Sequence, residues 1–141
     1  MLTKPGSRGL LIALSFLVGA LTFQLGTWAT KVRPYWDVRL ISADILDSGD
    51  IHIAANFIKG DCTLELFAPI GVTFVGQRTN LVHSDLDGRG QADDRLAGPT
   101  TLRIVVHTEG VEYDNLEIRT RHNCSGLKID KTFLTLHLED L

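Results

Sequence analysis

Sulfur is scarce in this chain: 141 residues hold one methionine, Met1, and two cysteines, Cys62 and Cys124. A copper chaperone or thiolate metal site draws on more soft ligands than that, and neither cysteine stands in a C-x-x-C or zinc spacing. Positive charge is short as well. Lys4 and Arg8 precede the apolar segment, so the rest of the chain carries 12 Lys and Arg against 17 Asp and Glu, a net of −5. A sheath of that sign repels phosphate and argues against a nucleic-acid partner. The one basic stripe, Arg119, Arg121 and His122, reads as a solvated strand face. Catalytic signatures are missing too: there is no G-x-S-x-G elbow and no glycine-rich loop opening a helix. The five histidines, His52, His83, His107, His122 and His137, form no H-x-x-x-H or H-E-x-x-H group. Each strand histidine is expected on a polar face, and His122 with Cys124 lacks further ligands nearby. The expectation is a protein that is not an enzyme, with no cofactor, no metal and no small-molecule substrate.

What is present begins with an apolar run. Gly9 to Trp28 reads GLLIALSFLVGALTFQLGTW, twenty residues without a formal charge, which as a helix would cross a hydrocarbon core of about 30 Å. Trp28, Tyr35 and Trp36 follow, where ring side chains favour the headgroup layer. A cleaved signal is the competing reading, since Lys4 and Arg8 make a basic start and Thr27-Trp28-Ala29 offers small residues for cleavage. The run exceeds the ~7 to 15 residues of a signal core, which favours an anchor. The predicted organisation is a short basic start over residues 1–8, a transmembrane signal anchor over 9–28, a juxtamembrane linker over 29–35 and an ectodomain over 36–141. Lys4 and Arg8 balance Lys31 and Arg33, so orientation falls to the free amino terminus, which stays inside.

The cysteines support that orientation. Both lie in the ectodomain, and a Cys62–Cys124 disulfide is the economical reading; closing about 60 residues would stabilise the fold by ~4 kcal/mol on chain entropy. Such a bond forms outside the cytoplasm, so the predicted protein is single-pass, with its carboxyl-terminal domain periplasmic or extracellular.

Beyond Pro34 the pattern has period two. Ile51, Ile53, Ala55 and Phe57 share a face, with His52 and Asn56 opposite. Cys62, Leu64 and Leu66 alternate with Thr63 and Glu65 up to Ala68-Pro69, and a further strand is expected from Val72 towards Val82, with Val72 and Phe74 in phase. Leu102, Ile104 and Val106, then Leu116, Ile118 and Thr120, then Phe133 to Leu138 continue the set. With Trp36 to Leu46 this makes about seven strands, which in about 110 residues suits an all-β, two-layer antiparallel sandwich of the immunoglobulin-like class.

The stretch HSDLDGRGQADD, residues 83–94, holds four aspartates: Asp85, Asp87, Asp93 and Asp94. Aligned to a calcium loop, Asp85, Asp87, Gly90 and Asp93 take the first, third, sixth and ninth positions. Arg89 then stands where an oxygen ligand belongs, and Leu96 where a bidentate Glu should be. A long solvated connection from His83 to Pro99 that touches a partner is the stronger reading, and calcium the weaker.

The tail RTRHNCSGLKIDKTFLTLHL resembles, in its basic-His-x-Cys run followed by a Thr-Phe strand, the ends of small uncharacterised exported proteins of bacteria and their phages. The resemblance implies an exported or anchored β-domain and carries no site residues. The expected partners are the membrane, through the amino-terminal helix, and an envelope protein bound by a scaffolding or interaction module. An accessory ectodomain of a larger membrane complex is the alternative, with Ser15, Gly19 and Gln24 placed for helix contacts. A secreted enzyme would reveal itself by a site of convergent titratable side chains.

Overall fold

The structure, a computed structural model, describes residues 7–87 and 96–141 and, within its helix, the side chains of 12–27. The chain divides into two units, Met1–Lys31 and Val32–Leu141.

The first unit is a helix, α1 (Ser7–Lys31). Its described large side chains, including Ile12, Phe16, Leu17, Leu21, Phe23 and Leu25, are all exposed. They cover most of the helix circumference, and Ser15, Gly19, Thr22 and Gly26 share the remaining sector, so among the described residues that face is small and uncharged. The hydroxyl of Thr22 turns back on the carbonyls of Val18 and Gly19 at 3.0 and 2.9 Å, and that of Thr27 on Gln24 at 2.9 Å. Among the described residues no helix is long and apolar enough to cross a membrane. The span expected over 9–28 is therefore not supported: within it Ser15, Thr22, Gln24 and the glycines Gly19 and Gly26 dilute the apolar character of the helix.

The second unit is a β-sandwich of two four-stranded antiparallel sheets. One sheet contains β1 (Tyr35–Ile45), β2 (Ile51–Lys59), β5 (Val82–Asp85) and β6 (Gly98–His107) in the order β1-β2-β6-β5. The other contains β3 (Thr63–Val72), β4 (Arg78–Asn80), β7 (Asn115–Cys124) and β8 (Leu127–His137) in the order β4-β3-β7-β8. Alternation places Ile51, Ile53, Ala55, Leu102, Ile104 and Val106 of the first sheet against Leu116, Ile118, Phe133 and Leu136 of the second, and together they form the core. The two-layer expectation holds, with eight strands among the described residues in place of about seven. The strand expected from Val72 to Val82 is two short ones in different sheets, β4 and β5, on either side of Leu81, whose N–H bonds the Pro69 carbonyl at 2.9 Å.

β3 runs straight through Ala68-Pro69, where the alternation predicts a strand end. Pro69 pairs with Ile118 on the β7 side, while β4 pairs only with Ile70, Gly71 and Val72. On that side the proline, which has no N–H to give, only accepts, from Leu81 just after β4. β7 and β8 join through Ser125 and Gly126, at φ 55° and 88°. Two positive values are what a two-residue type I′ hairpin needs.

The ends of the sandwich differ. At one, Tyr35 packs edge-on against Phe57 and Phe133, with centroids 6.4 and 5.1 Å away, and tilts against His122 at 5.4 Å. Tyr35 is thus a core residue, 3 % exposed, and not the headgroup anchor that its place after the apolar run suggested. Beside it, Cys62 and Cys124 form a disulfide with Cα atoms 4.5 Å apart. Extending the Thr63–Asn123 register by one residue makes them direct cross-strand neighbours, and that spacing is the close one of a non-hydrogen-bonded antiparallel pair. At the other end the β1–β2 turn Asp47-Ser48-Gly49-Asp50 bonds to Thr108, just beyond β6.

Candidate functional site

The most exposed apolar side chains of the sandwich include two neighbours, Phe74 and Val75, at 92 % and 84 %. They cap the β3–β4 hairpin. Sequence reading put Phe74 in a strand in phase with Val72; the ladder ends at the Val72–Arg78 pair, and Phe74 sits on the loop. That loop is clamped: Thr73 N–H bonds the Gln77 carbonyl at 2.9 Å, Gly76 N–H the Thr73 carbonyl at 2.7 Å, and Gln77 N–H the Thr73 hydroxyl at 3.1 Å. Gly76 takes the positive φ, 82°, that closes the turn. An aromatic and a branched side chain are therefore held out in solvent on a braced loop.

The acidic stretch is less of a loop than its composition suggested. His83, Ser84 and Asp85 belong to β5, and Gly98 and Pro99 open β6. Asp87 N–H bonds the Asp85 carboxylate at 2.9 Å, a local turn within the stretch. Asp93 and Asp94, the other calcium candidates, lie outside the described residues, as do Arg89 and Gly90. Among the described residues no three His, Cys, Asp or Glu side chains are grouped to hold a metal.

Arg119, Arg121 and His122 do not form one stripe. Arg121 pairs with Asp130 at 2.6 Å, and Arg119 with Glu117 at 3.2 Å. Glu117 also pairs with Arg78 across the sheet. These guanidinium groups hold the Glu117 and Asp130 carboxyls below the usual carboxylate range. His122 points the other way and is 4 % exposed, so the expectation of a polar face fails there. Parity gave the signal: 122 is in phase with Leu116, Ile118 and Thr120, which all face the core. His83 is half-buried against the Phe67 ring at 4.8 Å, and burial pulls its pKa below the ordinary value.

One grouping escaped sequence reading altogether. The Ser84 hydroxyl lies 2.8 Å from Nε2 of His107, and Nδ1 of the same ring lies 3.1 Å from a carboxylate oxygen of Asp50. The other Asp50 oxygen accepts the Thr108 N–H at 3.1 Å. The bond to His107 and then that N–H hold the Asp50 carboxyl below its usual pKa. The three residues come from β5, β6 and the β1–β2 turn, separated by 23 and 57 positions along the chain. No local spacing could have joined them; the pairing of β5 with β6 did.

Compared with known proteins, the chain matches no protein-family model, no curated protein and no solved structure.

Proposed function

We propose that this chain is a membrane-tethered, extracytoplasmic interaction module, an immunoglobulin-like sandwich that engages an envelope protein through its β3–β4 hairpin tip. The carrying observation is the exposure of Phe74 and Val75 on a clamped loop. Free energy gained by burying them goes into binding with little loop ordering to offset. The order β1-β2-β6-β5 facing β3-β7-β8 matches the constant-type arrangement of four strands on three, with β4 added at one edge. The disulfide departs from that class, since it ties two neighbouring strands of one sheet and does not cross between sheets.

Tethering is supported by the uncharged run Gly9 to Trp28 and by the exposed large apolar side chains of α1 among its described residues. The back-bonded hydroxyls of Thr22 and Thr27 need no water, which suits a helix in lipid. The disulfide supports placement outside the cytoplasm, as does the resemblance of the tail to exported β-domains. Carbonate extraction of native membranes tests the anchor: retention of the full-length chain supports it, and a soluble chain beginning near Thr30 contradicts it. Co-purification tests the tip, with Phe74→Ser expected to weaken partner capture roughly thirtyfold, the ~2 kcal/mol of an anchoring side chain.

A second reading, an accessory ectodomain whose helix contacts other spans, is favoured by one observation. A Cβ added at Gly19 would meet nothing within 4 Å, and Ser15 stands four residues before it, so a second backbone could approach closely along that face. Gly19→Leu would then disrupt the assembly while Phe74→Ser would not.

A further inference from the structure

We propose that Ser84, His107 and Asp50 form a nucleophilic site that accepts acyl groups from activated esters, a chemistry independent of the interaction role. The connectivity is that of nucleophile, base and orienting carboxylate: hydroxyl to Nε2 at 2.8 Å, Nδ1 to carboxylate at 3.1 Å. Each link has a structural reason. Asp50 cannot swing away, because its second oxygen accepts the Thr108 N–H and its own N–H is 3.3 Å from the Ser48 hydroxyl. Held below its usual pKa, the Asp50 carboxyl is ionised at neutral pH. It therefore fixes the imidazole proton on Nδ1 and leaves the Nε2 lone pair facing the Ser84 hydroxyl. Ser84 is exposed on the outer face of β5, an edge strand, where an acyl compound can reach it. Val82 and Leu86, two residues to either side and 66 % and 53 % exposed, flank it with apolar surface suited to a short acyl chain.

The step balances without a cofactor. The Ser84 oxygen attacks the carbonyl carbon as His107 Nε2 takes its proton; the carbon–oxygen bond of the ester breaks, and the leaving alkoxide departs with that proton as an alcohol. Water then adds to the acyl-serine with His107 again the base, the Ser84–acyl bond breaks, and a carboxylic acid is released. These residues supply activation of the nucleophile, so the substrates that fit are those whose leaving group needs least help from the protein, such as aryl esters.

The test uses the full-length chain in detergent with p-nitrophenyl acetate, followed by peptide mapping of the acetyl adduct. The expected result is acetylation at Ser84, its loss in Ser84→Ala, and a burst rate lowered about a hundredfold in His107→Gln, the ordinary contribution of a general base. Asp50→Asn should slow acylation while leaving the reactive residue unchanged. Ser84 is exposed, so Ser84→Ala is expected to keep the melting temperature and disulfide of the parent, which separates lost chemistry from lost fold. Acetylation confined to lysines or other residues would overturn the proposal. So would a Ser84 adduct that forms equally fast in His107→Gln with the fold intact.

Discussion

At one end of the sandwich Tyr35, Phe57 and Phe133 interlock and a disulfide ties β3 to β7; at the other, turn residues close onto the core through bonds to Asp50 and Thr108. The first closure is made chiefly of stacked rings and a covalent bond, with the buried His122 ring packed among them. The second is built from a carboxylate, an imidazole and hydroxyls, so it is titratable and can move a proton. The difference teaches that in a small domain the end closed by polar bonds is where reactivity can develop. The end closed by rings and sulfur is where stability is concentrated.

The contrast can be broken at several strengths. Replacing both Cys62 and Cys124 by Ala is expected to cost about 4 kcal/mol, since the bond closes a separation of 62 residues; urea melts of reduced and oxidised parent protein should differ similarly. Phe133→Ala, which removes the ring shared by Tyr35 and Phe57, should cost about 3 kcal/mol by the same melts. At the polar end Thr108→Val keeps the volume but loses the hydroxyl bond to the Gly49 carbonyl, 3.0 Å in the parent. Its expected cost is only about 1 kcal/mol.

The smallest effect is the most selective. The Asp50 carboxyl has a lowered pKa in the fold, so its contribution is full above the unfolded value near pH 4 and is lost as pH falls through the folded one. His83 titrates in a different window. Its pKa is also lowered, by burial, so the unfolded chain takes up the proton first and stability begins to fall once pH drops below about 6.5. Melting curves across pH should therefore show two declines. His83→Gln should remove the one beginning near 6.5, and Asp50→Asn should reduce the one below about 4.

Much of the fold was legible because burial on one face imposes period two. Ile51, Ile53 and Ala55, then Leu102, Ile104 and Val106, announced their strands and their inner face. The even number of cysteines announced the disulfide. The split of the 72–82 segment was not legible, because β4 and β5 have three and four residues, too few for alternation to speak. His122 was misread by chemical type when its phase with Ile118 and Thr120 gave the right face. The Ser84, His107 and Asp50 grouping had no sequence signal at all, since it depends on β5 lying beside β6.

The central claim is that the clamped hairpin tip of an anchored, exported sandwich contacts a protein. It is tested most directly by placing a photo-crosslinking amino acid at position 74 of the full-length chain and irradiating native membranes, with the same probe at Lys128 of β8 as the control. The account predicts one crosslinked protein from position 74 that is absent from the control. Adducts to lipid alone at position 74, or the same crosslinked proteins from both positions, would contradict it.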